Sequence, residues 1–182
     1  MSDVLRIAVY GPESTGKTEL ATKLAAHFRA PLVSEYARER WDTQGALGLE
    51  DMLPVAQEQW RREDAAARDA CNILYYKSPL IICDTDALTT MLWSDLLYGT
   101  APDELRREAE KRCRNYALYL LLDIDIPFAP DPQRCFPDPA DREKGMRIWR
   151  GALERRQLPF VLIRGDWAAR EAAAIAAVEA VR

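Results

Sequence analysis

The segment Gly11-Pro12-Glu13-Ser14-Thr15-Gly16-Lys17-Thr18 fits G-x-x-x-x-G-K-[ST] at every fixed position, and each fixed position has a chemical reason. The glycines let the backbone curl until successive N–H groups face inward around an anion. A helix that begins directly afterwards points its positive end at the same place. Lys17 can reach the β and γ phosphates of a nucleoside triphosphate, and the Thr18 hydroxyl can ligate magnesium. Gly11, Glu13, Ser14, Thr15, Gly16, Lys17, Thr18 and Glu19 are therefore the candidate ATP-binding residues, with ATP and Mg2+ as the expected ligands.

Phosphoryl transfer needs more: a carboxylate that orients magnesium, a base near the acceptor hydroxyl, an acceptor pocket, and cations over the transferring group. Asp84 ends the apolar run Leu80-Ile81-Ile82-Cys83. Ligands of open parallel sheets bind at such carboxyl ends. Asp84 can orient magnesium with Thr18, act as the base, or merely cap the next helix. Asp86 is the better-placed cap and can also reach an acceptor hydroxyl. Glu35 and Arg38 follow the second strand at the same rim; their spacing equally suits a solvated i, i+3 pair. Arg134 sits in the proline-rich, glycine-free segment 127–139, ahead of Arg142, Arg147 and Arg150. Residues of about 127–142 read as a lid that brings cations over the triphosphate, or else as a stiff loop beside a charged helix. Trp60 can be core or a platform for a ligand ring. Lys17, Asp84, Glu35 and Arg134 form the catalytic set.

The elements that would position these residues alternate regularly. Apolar runs at 4–10, 32–33, 80–83, 116–123 and 160–163 read as strands. Helical patterns fill 17–29, 34–38 onward, 51–76, 87–98, 102–114, 141–156 and 166–182. Pro54 is expected in a first helical turn, Gly99 at a helix end, and Asp138-Pro139 at a helix start. Such alternation predicts a five-stranded parallel sheet covered by helices on both faces, a three-layer α/β P-loop NTPase fold in one domain over 1–182.

Composition narrows the function classes. A net charge of −4 and a pI near 5.2 leave no basic footprint for nucleic acid. No run reaches membrane-spanning length and no signal peptide is recognisable. Cys71, Cys83, Cys113 and Cys135 are scattered, as expected of reduced thiols. A cytoplasmic protein with a small-molecule partner is expected; the sequence does not give its oligomeric state. The chain has no N-K-x-D for guanine and no D-x-x-G after the third strand, and no Glu directly follows Asp84 to activate water as in motor ATPases. A compact small-molecule kinase remains.

The phosphate loop, Glu35-Tyr36-Ala37-Arg38-Glu39, Asp84-Thr85-Asp86-Ala87-Leu88-Thr89-Thr90 and Leu121-Leu122-Asp123-Ile124-Asp125-Ile126-Pro127-Phe128 together resemble the ribosylnicotinamide kinase domain of the NadR family, in order and spacing along nearly the whole chain. The resemblance implies transfer of the ATP γ-phosphate to the ribose 5′-hydroxyl of nicotinamide riboside, giving nicotinamide mononucleotide for NAD salvage. It also implies that Glu35, Tyr36 and Arg38 line the acceptor pocket, that Asp84 lies by magnesium or the acceptor hydroxyl, and that Trp60 stacks on the pyridinium ring. Two positions depart from the family pattern. The lid has Pro132 and no glycine before Arg134, and Ser34 stands where members can carry an aromatic. Longer members add a DNA-binding module and an adenylyltransferase domain; the single histidine, His27, lies on the first helix, so adenylyl transfer is not expected. Two other readings stay open: a kinase for another nucleoside or nucleoside monophosphate, and a non-catalytic sensor of ATP and a pyridine nucleotide.

Overall fold

A computed structural model describes residues 4–72 and 79–182. Five strands, β1 (Leu5–Tyr10), β2 (Leu32–Val33), β3 (Leu80–Asp84), β4 (Leu118–Leu122) and β5 (Phe160–Ile163), form one parallel sheet in the order β2-β3-β1-β4-β5. The helices are α1 (Lys17–Phe28), α2 (Tyr36–Gln44), α3 (Leu49–Asn72), α4 (Ala87–Tyr98), α5 (Asp103–Arg112), α6 (Pro139–Arg156) and α7 (Trp167–Glu179).

The strands are apolar at successive positions because both faces of the sheet are covered. Ile7, Val9, Leu80, Ile82, Leu118, Leu120 and Leu122 pack with Leu20 and Leu24 of α1 and Ala174 and Val178 of α7. The alternating positions Ala8, Tyr10, Ile81, Cys83, Tyr119 and Leu121 pack on the opposite face with residues of α3, α4, α5 and α6, Trp149 among them. β1 lies between β3 and β4. The loop that leaves its carboxyl end is therefore flanked by two strand ends, where side chains of both can reach it.

Local chemistry sets the ends of several helices. Asp86, Asp138 and Asp166 cap α4, α6 and α7 by accepting the N–H groups of Thr89, Ala140 and Ala169 at 2.9, 2.8 and 2.8 Å. Gly99 closes α4 at φ 72°. Three expectations shift. α3 begins at Leu49, because Gly48 and Asp51 exchange hydrogen bonds of 2.9 and 3.1 Å that cap it early, so Pro54 falls beyond the first turn. Residues 73–76 of that expected helix lie outside the described residues. The helix expected over 102–114 becomes α5 and a 3-10 turn, Cys113–Asn115. Among the described residues no helix is long and apolar enough to cross a membrane.

One buried side chain ties the sheet ends together. Arg170 of α7 has no solvent exposure. It donates to the carbonyls of Gly165, Thr15 and Asp123 at 2.9, 3.0 and 3.0 Å and pairs with Asp125. Replacing it with Met strips donors from three carbonyls and a carboxylate at once. Arg170→Met should lower the unfolding free energy by about 2–4 kcal/mol, read by urea denaturation; a loss within experimental error would show that the linkage carries no stability.

Candidate active site

The loop from Gly11 to Gly16 joins β1 to α1. Its glycines are demanded by geometry. Gly11 has φ 147°, and a Cβ there would stand 3.0 Å from the Leu122 carbonyl oxygen. Gly16 has φ 82°, and its Cβ would meet the Trp167 ring at 2.3 Å. Between them Ser14 also adopts a left-handed φ of 55°. Thr15 Oγ1 and Lys17 Nζ both donate to the Pro12 carbonyl at 2.9 Å, which folds the lysine back across the loop. Glu19 is exposed in the first turn of α1, 3.8 Å from Lys23.

At the end of β3, Thr85 has φ 84°, a conformation costing a β-branched residue about 1–3 kcal/mol. This kink sends its two neighbours to different places. Asp84 is 2% exposed, takes a hydrogen bond from Thr18, and has Oδ1 without a protein partner. Burial raises its pKa, against the Thr18 bond and the charges of Lys17 and Arg38. A buried hydroxyl–carboxylate pair with an unclaimed oxygen suits a hard cation such as Mg2+. Among the described residues no group of three or more His, Cys, Asp or Glu side chains could hold a metal. Asp86 turns inward, accepting from Thr89 N–H and from the Tyr119 hydroxyl at 3.0 Å, with no exposure.

A cleft of about 630 Å³ runs from Glu13–Glu19 of the loop to Glu35 and Arg38. Its far wall is apolar and aromatic: Trp41, Leu47, Met52, Val55, Trp93 and Tyr98. Burial raises the Glu35 pKa, opposed by Lys17 and Arg38 and reinforced by Asp84. Lys17, Glu35, Asp84 and Arg38 thus share one electrostatic neighbourhood. Five sequence candidates, Gly11, Asp84, Trp60, Tyr36 and Asp86, do not line this cleft. Trp60 is 5% exposed within the core, under the Arg112 guanidinium at 5.0 Å. Tyr36 lies under Arg62 at 4.5 Å, and Asp86 is the cap just described. Sequence reasoning missed Trp41, Trp93 and Tyr98. Trp41 lies three residues after Arg38, and Trp93 three and four after Thr90 and Thr89, so helical spacing alone could have placed them on the same faces.

The segment after β4 lies down over the loop. Glu13 accepts from the N–H groups of Cys135 at 3.0 Å and Phe136 at 2.6 Å. Ser14 Oγ accepts from Ala129 N–H at 2.8 Å and from Arg134 at 3.3 Å. On the other side, Arg38 pairs with Asp131 at 3.2 Å and Gln133 donates to Asp42 at 2.7 Å. Phe136 stacks on Trp93 with ring centres 6.0 Å apart. Arg142 donates to the Ile126 carbonyl at 3.0 Å, while Arg147 and Arg150 pair outward with Glu143 and Glu154. Removing the Glu13 carboxylate deletes the only side-chain acceptor of the Cys135 and Phe136 N–H groups among the described residues. In Glu13→Ala, amide exchange at Cys135 and Phe136 should accelerate about tenfold or more, since bonds to a charged acceptor contribute about 1.5–3 kcal/mol. Hydrogen-exchange mass spectrometry reads this, and unchanged rates would show that the clasp is inert.

A phosphate loop at the centre of a β2-β3-β1-β4-β5 parallel sheet, with a carboxylate at the end of β3, defines a P-loop protein with the fold of nucleoside and nucleotide kinases. The chain belongs to the AAA domain family, which matches residues 6–170. It is similar to a NadR protein solved in complex with NR, at 26% identity and a TM-score of 0.74, covering 98% of this chain and 52% of that one. A NadR protein in complex with NAD and AMP-PNP matches at 24% identity and a TM-score of 0.72, over 98% and 49% of the two chains. The chain thus spans about half the length of these NadR chains. Thymidylate kinase from Ehrlichia chaffeensis shares the fold at 14% identity and a TM-score of 0.65, over 96% and 98% of the chains. Deoxyadenosine kinase from M. mycoides shares it at 10% and 0.62, over 97% and 100%. No curated protein matches the chain in sequence.

Proposed function

We propose that residues 1–182 act as one ATP-dependent kinase domain that phosphorylates the ribose 5′-hydroxyl of nicotinamide riboside, giving nicotinamide mononucleotide. The observation that carries this reading is the continuous cleft joining Lys17 and the loop to Glu35, Arg38 and a tryptophan-lined wall. A cationic pyridinium ring is well matched to an indole face, and similarity to the NadR protein solved with NR supports the same acceptor.

In this reading the loop N–H groups and Lys17 hold the triphosphate. Thr18 and Asp84 would hold magnesium, which supplies charge neutralisation at the phosphate oxygens. Glu35, recessed and raised in pKa, takes the proton of the acceptor hydroxyl as its oxygen bonds to the γ-phosphorus; the bond to the β-phosphate oxygen breaks and ADP leaves. Arg134 on the lid, within 3.3 Å of Ser14, faces the transferring group. The ring platform is Trp41 with Trp93, in place of the Trp60 expected from sequence.

The test is acceptor-dependent ADP release across nicotinamide riboside, uridine, thymidine, cytidine and nucleoside monophosphates. Turnover should be selective for nicotinamide riboside, and Lys17→Ala should lower kcat at least about a hundredfold. Trp41→Ala should raise the acceptor KM about tenfold with little change in the ATP KM. Trp60→Ala should leave the acceptor KM unchanged but cost about 3 kcal/mol of stability. Selective turnover of a monophosphate would transfer the reading to that acceptor; tight ATP binding with no turnover on the panel would favour the sensor.

A further inference from the structure

α2 carries Glu35 and Arg38 to the cleft, yet it begins without a local cap: the Glu35 side chain bonds none of the helix N–H groups. The N–H of Tyr36 is taken from outside the helix, by Gln59 Oε1 of α3 at 2.9 Å. Gln59 is 2% exposed, and its Nε2 donates to Glu63 Oε1 at 3.4 Å, one turn further along α3. Glu63 is equally buried. Its Oε2 accepts from the Tyr116 hydroxyl at 2.7 Å and has Arg6 of β1 at 3.6 Å. A polar chain therefore runs through the apolar interior from β1 to the rim of the cleft. The reaction outlined above uses none of its members.

We propose that Gln59 and Glu63 are positioning residues for the acceptor site: Gln59 caps α2 and so aims Glu35 and Arg38, and the ionised carboxylate of Glu63 fixes the orientation of the Gln59 amide. The functional part of this inference rests on the reading of the cleft as an acceptor site.

The logic is one of donors and acceptors. A primary amide has one acceptor oxygen and one donor nitrogen. An ionised Glu63 only accepts, so it binds the NH2 end and leaves Oε1 for Tyr36. A protonated Glu63 can instead donate its O–H to Oε1. The amide is then free to rotate and present NH2 to the Tyr36 N–H, donor against donor, which uncaps the helix. The first turn of α2, where Glu35 and Arg38 emerge, loosens as a result.

The surroundings put the change of state near neutrality. Burial pushes the Glu63 carboxyl up to about 7; the Tyr116 hydroxyl, Arg6 and Gln59 pull it down, and Asp86 at the start of α4 pushes it up. Cys83 of β3 feels the same carboxylate. On α3 itself Asp64 is engaged by Arg6 at 2.8 Å and by Arg112 of α5 at 3.2 Å. Glu63 is therefore ionised above about pH 7, where it holds the Gln59 amide in the capping orientation, and protonated below it, where that orientation is no longer enforced.

The decisive measurement is the backbone amide of Tyr36 in 15N-labelled protein of residues 1–182, followed by NMR from about pH 5.5 to about pH 8.5. The wild-type resonance should titrate with a midpoint near 7, and its exchange protection, corrected for intrinsic pH dependence, should fall about tenfold on the acid side. The isosteric Glu63→Gln should abolish the titration, and Gln59→Leu should leave the amide unprotected throughout. A flat wild-type resonance, or the same midpoint in Glu63→Gln, overturns the proposal. In steady-state kinetics Gln59→Leu should raise the acceptor KM about fivefold or more while the ATP KM holds; equal effects on both would reduce Gln59 to a structural role and overturn its assignment. If wild-type protein phosphorylates no acceptor, the reading of the cleft fails, and the Tyr36 titration still decides whether Glu63 and Gln59 set the start of α2.

Discussion

Arg170 holds the phosphate loop to the rest of the molecule. Its guanidinium satisfies carbonyls from the loop, from the end of β4 and from the turn before α7, and pairs with Asp125. A loop that turns its N–H groups inward must turn carbonyls outward, and those carbonyls need donors where water does not reach. Arg170 supplies them. The anion-binding side of the loop is thus stabilised from behind, and the cleft inherits its shape from a contact that never touches it.

Much of the fold was legible because both chemical periodicity and punctuation were strong. β2, β5 and α4 fall on the residues expected, since apolar runs end at Ser34, Arg164 and Gly99. The phosphate loop was legible for the same reason: its conformational demands fall on glycines that no other residue replaces. What sequence could not show was direction. Asp84 and Asp86 are two residues apart and chemically alike, yet one faces Thr18 and the other seals α4 beneath Tyr119. Trp60 and Trp41 lie on different helices and have similar prospects by composition. Packing against α5 takes one into the core, and the short α2 leaves the other on the cleft wall.

The segment following β4 links two ends of the cleft that are distant in sequence. Its N–H groups engage Glu13 and Ser14 on the loop, and its Asp131 and Gln133 engage Arg38 and Asp42 on α2. Pro132 stands in the middle of this span. Its ring fixes one φ of a strip whose two sides are already anchored by side chains.

Thr85 carries a wider consequence. It occupies a region of backbone space that a chain selected for stability alone would give to glycine, the residue that enters it freely. Its methyl and hydroxyl groups narrow the conformations open to the peptide units on either side, so the two carboxylates keep their opposite headings. The position is one where backbone strain and the divergence of two neighbouring carboxylates coincide.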